Sequence, residues 1–371
     1  MDIKNSYDIT VVPEDVKQIL KDSIKQYEQD TGKTLQPAHI ERLIIQVYAF
    51  RELLTRKSIN EAFRQTFPQT ATGLALDLCG ETLGCYRLQD KPARTLLRFS
   101  VSGEHRAIVI PKGTQVSVNS ELYYSTLNDD VITPLISYVE IEAECSQAGT
   151  VGNGWEIGRI SNIKTPLNTP YDVKVENRDV PNGGLLREED EPYRKRILAA
   201  PEAFSSCGSV AAYDYHVRAV SQDIADVNIS TPRGGVVRIA VLTQSGLPDM
   251  RLLNDIRQHV SAERLRPLCD TVEVIAPTER KYQITARLTL LDGYREDVVK
   301  TQARDALQAY LSDKTKKLGI DIVPSAIISA LRVEGVYDVN LITPAKTLIQ
   351  ETEWANCTAL SIEVEEERAR G

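Results

Sequence analysis

The residues that most suggest chemistry are four glycines, at positions 149, 152, 154 and 158. A glycine-rich loop binds phosphate when its N–H groups open a helix. The order here, G-x-x-G-x-G, is the reverse of the dinucleotide-binding pattern, and no Lys-Ser/Thr pair completes a Walker A motif. The segment after Gly158, RISNIKTP, is typical of a strand. We therefore expect a tight turn in which the glycines and Asn153 adopt positive φ, and no bound cofactor.

Cys207 is a candidate nucleophile because it lies in the small-residue segment SSCGS. A catalytic thiolate needs a base beside it in the fold. A Ser- and Gly-rich cluster directly before an amphipathic helix is also typical of a helix N-cap. We interpret the segment as a cap.

The acidic run from Glu188 to Glu191 is the candidate for a pair of catalytic carboxylates. Catalytic pairs are seldom adjacent in sequence, because the two carboxyl groups flank the bond that is cleaved. The run precedes Pro192 and is typical of a solvated helix start. The charged ending EVEEERARG is expected to be frayed. No catalytic residue is predicted, and we expect a protein that is not an enzyme.

The cysteines and histidines give no metal-binding spacing. The four histidines are scattered, and the six cysteines stand singly, without a CxxC motif. Cys79 and Cys85 are the closest pair of cysteines, and no second pair completes a zinc site. We expect no metal and reduced thiols in a chain that folds in a cytoplasm.

Composition excludes two further classes of function. The chain has 44 basic and 52 acidic residues and a formal charge of −8, which argues against broad nucleic-acid binding. No window has the ~18 apolar residues of a membrane span, and the N-terminus has no secretory signal pattern. The length of 371 residues is enough for two or three soluble domains.

The elements that must position these residues begin with helices. Apolar spacing predicts a helix that starts near Pro13 and stops at Gly32, then a longer helix after Pro37. Such amphipathic helices can fold back on their own domain or pack on a partner, and the pattern leaves both open. Residues 1–90 are predicted to be a helical region.

The rest of the chain predicts an α+β, multidomain fold. Alternating Val-, Ile- and Tyr-rich runs predict an antiparallel β-rich domain over residues 91–180. Strands and helices then alternate through two α+β domains, residues 181–276 and 277–371. The segments 209–232 and 324–344 both give a helix and a strand with Asp-Val-Asn, and each is followed by a further strand. We infer a duplicated α+β module in the C-terminal region.

The order of several motifs resembles the baseplate J-like family, the wedge proteins of contractile phage tails and related injection machines. The matching segments, in chain order, are TGLALDLCGETLGCYR, IPKGTQV, AGTVGNGWEIGRI, NGGLLREEDEPYRKRI, CGSVAAYDYHVRAV, DVNI and GVYDVNL. They cover roughly residues 70 to 345. The family-motif residues in them are Pro111, Gly113, Gly149, Gly152, Asn153, Gly183, Gly184, Arg196, Asp226 and Asp338.

The resemblance implies structural work in a baseplate and no cofactor. Copies would associate through their helical and C-terminal parts, in a sixfold ring around a central hub that rearranges when the sheath contracts. The implied partners are a second copy of the chain, a tail-protein-I-like wedge subunit and a lysozyme-like-fold protein that links to the sheath. Assembly would take place in the bacterial cytoplasm, and the host machine would be a phage tail, a tailocin or another injection system.

Two other functions remain open on sequence alone. A receptor- or glycan-binding tail module would use the β-rich region, with its aromatic residues on one face: Tyr123, Tyr124, Tyr138 and Trp155. A cell-wall hydrolase would need a cleft with two carboxylates at ~5–10 Å.

Overall fold

The structure is a computed structural model that describes residues 9–119, 121–205, 208–262, 265 and 270–370. Within these residues the chain forms eight α-helices and fourteen β-strands, which confirms the expected α+β, multidomain class. It divides into two compact units: Met1–Gln89 with Arg187–Pro201, and Asp90–Leu186 with Glu202–Gly371. Cys207 and Cys269 lie outside the described residues.

The first unit is helical. Its helices are α1 (Val16–Thr31), α2 (Ile40–Arg64), α3 (Gly73–Glu81) and α4 (Asp190–Ala199). The Asp15 carboxylate caps α1 by accepting a hydrogen bond from the Lys17 N–H at 2.8 Å. The helix ends at Gly32, whose φ is 68°, so the predicted stop is confirmed.

Asn60 on α2 holds the segment that precedes α1. Its side chain is fully buried. The Oδ1 atom accepts hydrogen bonds from the N–H groups of Val11 and Val12, both at 2.9 Å, and Nδ2 donates to the Val12 carbonyl at 2.8 Å. A buried amide with these partners ties the start of α1 to α2.

Residues 90–186 form the β-domain. Its strands are β1 (Pro92–Val101), β2 (Ile108–Ile110), β3 (Gln115–Ser117), β4 (Tyr123–Thr126), β5 (Asp130–Ile132), β6 (Tyr138–Ala148), β7 (Asn162–Ile163) and β8 (Val173–Asn177). Six strands make one antiparallel sheet in the order β7-β3-β4-β6-β1-β8, and β2 pairs with β5. Along β1 every second side chain is buried, so the predicted alternation is confirmed. In the segment RISNIKTP the strand prediction holds for the two residues of β7 alone.

Residues 208–275 form the middle module. Its elements are α5 (Val210–Arg218), β9 (Ile224–Arg233), β10 (Val236–Thr243), α6 (Met250–Val260) and β11 (Thr271–Ile275). The central strand β10 is antiparallel to β9 and parallel to β11. Ser209 caps α5 by accepting a hydrogen bond from the Ala212 N–H at 3.2 Å, so the cap predicted in this segment is confirmed at Ser209. Ser206 lies outside the described residues.

Residues 278–370 form the C-terminal module. Its elements are β12 (Thr278–Leu291), α7 (Glu296–Lys314), α8 (Pro324–Leu331), β13 (Val336–Thr343) and β14 (Glu353–Ala369). The central strand β12 is antiparallel to β13 and parallel to β14. The prediction of a frayed charged ending is wrong, because β14 stays paired with β12 up to Ala369, opposite Leu291.

The two predicted helix-then-strand units occupy equivalent places. In each module the strand that carries Asp-Val-Asn, β9 or β13, is the antiparallel neighbour of the central strand. The predicted following strands are present as β10 and β14, but they differ in pairing. β10 is the central strand of its sheet, whereas β14 is the parallel edge strand. The modules therefore share one arrangement of strands and differ in the order in which the chain visits them.

Candidate functional site

Two separated glycine motifs meet inside the β-domain at what we call the glycine junction: Gly149, Gly152, Asn153 and Gly184. Residues Thr150–Gly152 form a single 3₁₀ turn. A Cβ atom on Gly152 would lie 2.8 Å from the Cys145 Sγ and 2.9 Å from the Ala93 Cβ. The Tyr124 hydroxyl, fully buried, donates a hydrogen bond to the Gly152 carbonyl. Gly152 is therefore needed for close packing.

Asn153 joins the two motifs through its side chain. The Nδ2 atom donates to the Gly184 carbonyl at 2.8 Å, and the Oδ1 atom accepts from the Gly184 N–H at 2.9 Å. The amide thus pairs with Gly184 as a neighbouring strand would. The prediction of positive φ at Asn153 is wrong, because its φ is −78°. Asparagine suits this position because its side chain both donates and accepts.

Positive φ occurs at the neighbouring glycines. Gly149 has a φ of 95° and Gly183 a φ of 78°, as expected of turn glycines, whereas Gly152 is not in this region. Gly184 is restricted by space, since a Cβ atom there would lie 2.4 Å from the Gly149 carbonyl oxygen. The junction fixes the backbone of two loops against each other.

A second motif forms a turn between β2 and β3. The Pro111 carbonyl accepts hydrogen bonds from the Thr114 hydroxyl at 2.6 Å and from the Thr126 hydroxyl at 2.8 Å. Gly113 has a φ of 82°, and its N–H donates to the Thr126 carbonyl at 2.8 Å. This turn ties the end of β2 to β4.

The first unit contains a buried ionic network, which we call the arginine clamp: Arg87, Glu188, Tyr193 and Arg196. Arg196 on α4 makes two hydrogen bonds to the Glu188 carboxylate, at 2.8 and 2.6 Å, and a third to the Tyr86 carbonyl at 2.7 Å. Glu188 is 3% exposed. The prediction that the acidic run is solvated is therefore wrong for Glu188, because a buried cation needs its charge as a partner.

Arg87 and Arg196 both lie against the Tyr193 ring. Their guanidinium carbons are 4.5 and 5.5 Å from the ring centroid. Arg87 also bonds the Asp77 carboxylate at 2.6 Å and the Glu188 carbonyl at 2.8 Å. The Tyr193 hydroxyl donates to the Cys85 carbonyl at 2.7 Å. The clamp thus holds α4 against the segment that follows α3.

The pKa values of two groups are shifted here: Tyr193 in the clamp and Asp190 beside it. The Gly73 N–H, together with Arg87, holds the pKa of Asp190 below its usual value. Arg87 Nη2 lies 2.7 Å from the Asp190 carboxylate. Burial raises the pKa of Tyr193 to about 12, so its hydroxyl stays a hydrogen-bond donor at neutral pH. Both groups are therefore held in a fixed hydrogen-bonded network.

The two Asp-Val-Asn aspartates are not brought together with the other motif residues. Asp226 on β9 accepts a hydrogen bond from the Leu318 N–H at 2.9 Å and lies 3.6 Å from Arg218. Asp338 on β13 is exposed. The two aspartates occupy equivalent positions because the two modules share an arrangement of strands, and they do not form one site.

The aromatic residues considered for sugar binding do not share one exposed face. Tyr124 is fully buried, and Trp155 packs against the β-domain core. Tyr123 faces Lys164, whose Nζ is 5.3 Å from its ring, and Tyr138 faces Arg98 at 4.5 Å. Tyr138 lies opposite Ser100 at the start of β6, whereas β4 pairs with its later part. The arrangement does not give the single aromatic face that a glycan-binding module was expected to have.

In the part of the chain that the structure describes, no three His, Cys, Asp or Glu side chains are arranged to hold a metal ion. No described helix combines the length and apolar character that crossing a bilayer requires.

The first unit presents an uncovered apolar face on α2. Five side chains at heptad positions a and d of this helix are between 48% and 72% exposed: Ile40, Leu43, Val47, Phe50 and Leu54. Spacing of three and four residues in alternation is the signature of a seam that packs against another helix. The helix also contacts α1, and its buried Ala49 lies outside this heptad series.

Sequence reasoning missed the network that Arg87, Glu188 and Tyr193 form, and it treated Glu188 only as part of a solvated acidic run. Arg87 and Glu188 are 101 positions apart, and no spacing rule connects residues on either side of a whole domain. The local composition offered one indication. Several Arg residues and a Tyr beside a run of acidic residues can form buried ion pairs and hydrogen bonds with those acids as well as face water.

The comparisons with known proteins point to one family. The models of the baseplate J-like family match in chain order: the N-terminal domain over residues 42–94, the barrel domain over 96–184, the central domain over 205–276 and the C-terminal domain over 282–363. The glycine junction lies in the barrel-domain match, apart from its contact with Ala93.

A relative from a phage agrees with these matches. Baseplate protein J of Escherichia phage P2 is 36% identical over 205 residues, which are 54% of this chain and 66% of that protein. The chain thus spans just under two thirds of that relative's length. A chain in the cryo-EM structure of the anti-feeding prophage baseplate, 6-fold symmetrised, is also similar. It has a TM-score of 0.43 and 14% identity, with 93% of this chain and 90% of that chain covered.

Proposed function

Because the chain belongs to the baseplate J-like family, we propose that it is a structural wedge subunit of a contractile tail or injection-machine baseplate. In this role copies form a sixfold ring around the central hub, and the ring couples its rearrangement to sheath contraction. The observation that carries the proposal is the run of four family matches, in order, from residue 42 to residue 363.

The character of the buried polar groups supports a scaffold. The glycine junction and the arginine clamp use their hydrogen bonds to fix crossings of the chain, and both are filled by the chain's own atoms. A catalytic site instead directs polar groups at a cleft where substrate sits. We therefore propose a role without catalysis and without a cofactor.

The exposed face of α2 suits a second copy of the chain. Burying a Leu or Val side chain gains about 1.5–3 kcal/mol, so a seam of five apolar side chains favours association strongly. The seam repeats every seven residues, which fits a helix of the same kind. In the assembled particle the further partners are a tail-protein-I-like wedge subunit and a lysozyme-like-fold protein that links to the sheath. The chain would assemble with them in the bacterial cytoplasm and then stay in the baseplate.

The proposal is tested by electron microscopy of the chain co-expressed with its genomic neighbours. Ring or wedge assemblies are expected. A chain that stays monomeric with every neighbour and releases sugar from cell walls would contradict the proposal and favour a hydrolase. A chain that stays monomeric and binds cell-surface glycan would favour a receptor-binding module.

The α2 seam is tested by replacing Leu43 and Val47 with serine. Both side chains are more than half exposed, so the fold of the chain should not change. Association is expected to weaken by about two orders of magnitude or more, because two apolar side chains no longer contribute. Analytical ultracentrifugation measures the change. Leu135→Ser in the β-domain is the control, since Leu135 is 96% exposed and lies outside the seam.

Deletion of residues 13–63 separates the two possible roles of these helices. A folded, soluble remainder that no longer assembles is expected. Loss of folding would instead assign the helices to the chain's own core.

A further inference from the structure

The β-domain and the middle module meet at a joint built around one arginine. Arg251 lies in the first turn of α6. Its Nε atom is 3.0 Å from the Glu142 carboxylate on β6, and its Nη2 atom donates to the Asp179 carboxylate at 3.1 Å. One side chain of the middle module therefore bridges two acids of the β-domain.

The β-domain itself orients the Asp179 carboxylate for this contact. Its Oδ1 atom accepts hydrogen bonds from the Thr95 hydroxyl at 2.5 Å and from the Leu96 N–H at 2.8 Å, both within the β-domain. The other oxygen, Oδ2, is the one that binds Arg251. Because the β-domain already orients this carboxylate, forming the bridge costs little conformational entropy on that side.

Two further hydrogen bonds cross the joint. Lys91 Nζ donates to the Val220 carbonyl at 3.1 Å, and Gln222 Nε2 donates to the Leu186 carbonyl. Beside them is a cleft of about 360 Å³, lined in part by Asn182, Asp223 and Leu247. The apolar cluster around β1 consists of β-domain residues, and the cluster around β10 consists of middle-module residues. Separating the two bodies therefore leaves both of these cores intact.

The joint between the middle and C-terminal modules includes the hydrogen bond from the Leu318 N–H to Asp226, but its buried centre is apolar. Ala240 and Leu242 of β10 pack with Leu318 and Trp354 in one buried apolar cluster. The Trp354 indole N–H also donates to the Thr315 carbonyl at 2.7 Å. Opening this joint would expose a tryptophan to water, which is unfavourable.

We propose that Arg251 is a latch: the β-domain and the middle module separate at this polar joint, while the middle and C-terminal modules move as one body. The side chains of Arg251, Glu142 and Asp179 are 29%, 41% and 40% exposed, so water and salt reach the bridge. The latch therefore releases without unfolding either body. The inference does not depend on the proposed function.

The test measures distances with pairs of spin labels, carried on noncanonical residues in the full-length chain. One pair spans the polar joint, at Lys174 of β8 and Gln258 of α6. The other spans the apolar joint, at Gln258 and Lys346. All three positions are exposed. The variants are Arg251→Gln, Arg251→Lys and, as matched control, Arg233→Gln, since Arg233 pairs with Glu273 inside the middle module.

Arg251→Gln is expected to add a longer-distance population for the first pair, raising the ratio of open to closed chains about fivefold to thirtyfold. Wild-type chain in 1 M salt should approach this distribution, and Arg251→Lys should show a smaller rise because it keeps the charge. Arg233→Gln should match the wild type, and the second label pair should keep one distance throughout. Two results would overturn the latch: a first-pair distribution for Arg251→Gln equal to that of Arg233→Gln, or equal broadening of both label pairs.

Discussion

At the scale of single residues, the four positions of the glycine junction have three different physical requirements. Gly149 needs a positive φ, Gly152 and Gly184 need the absence of a Cβ atom, and Asn153 needs an amide that donates and accepts. The sequence predicts that the segment turns. It does not predict the hydrogen bonds of the Asn153 side chain, because their partner, Gly184, is 31 residues away.

Replacing Gly184 with alanine should destabilise the β-domain by about 1–3 kcal/mol, since the added methyl group has no space beside the Gly149 carbonyl. Denaturant unfolding followed by circular dichroism measures the change. Gly234→Ala is the control, because a Cβ atom there meets no neighbour within 4 Å and its φ is not positive. Equal unfolding midpoints for the two variants would show that the junction relaxes to admit the methyl group.

At the scale of elements, features that depend on neighbouring residues could be predicted from sequence, whereas features that depend on long-range contacts could not. The stop of α1 at Gly32, the cap at Ser209 and the alternation of β1 all depend on neighbouring residues, and all were predicted from sequence. The path of β14 to Ala369 was not, because its charged residues are held by pairing with β12, more than 70 positions away. The helix start in the acidic run was predicted, and α4 begins at Asp190. The ion pair of Asp190 with Arg87 was not predicted, because Arg87 lies on the other side of the β-domain in sequence.

The arginine clamp predicts that α4 depends on one buried carboxylate. Glu188→Gln keeps the shape of the side chain but removes the buried charge that pairs with Arg196, which should cost about 3–5 kcal/mol. Hydrogen exchange of the α4 amides should then speed up strongly. Glu189→Gln is the control; Glu189 is exposed, and its change should stay within about 0.5 kcal/mol. The clamp would have no stabilising role if both variants exchanged at the same rate.

At the scale of the whole molecule, the β-domain is an insertion in the chain. The chain leaves the first unit after Gln89 and returns to it at Arg187. Within the β-domain the two ends pair with each other: the Lys91 N–H donates to the Leu185 carbonyl at 2.8 Å, and the Leu185 N–H donates back at 2.9 Å. The buried cluster around β1 is built from residues between Ala93 and Val175. This nesting explains why unit boundaries are hard to find from sequence, since residues close in space flank a whole domain.

A fragment of residues 90–186 should fold on its own, because its core is internal and its ends are already joined by hydrogen bonds. Cooperative thermal unfolding and a dispersed NMR spectrum are the expected results. The fragment 97–186, which lacks Lys91 and the first half of β1, is the comparison and should not fold cooperatively. An unfolded 90–186 fragment would mean that the β-domain needs the rest of the chain.

The paired ends of the insertion also matter for how such a gene can change. In the first unit, the Leu88 carbonyl accepts from the Glu188 N–H at 2.9 Å, so the points of exit and return are already neighbours there. A recombination event that exchanged the codons between these two points would replace the whole β-domain and leave Arg87, Glu188 and Arg196 in place. The same frame could then carry domains of different ancestry, and its lineage would differ from that of its insert.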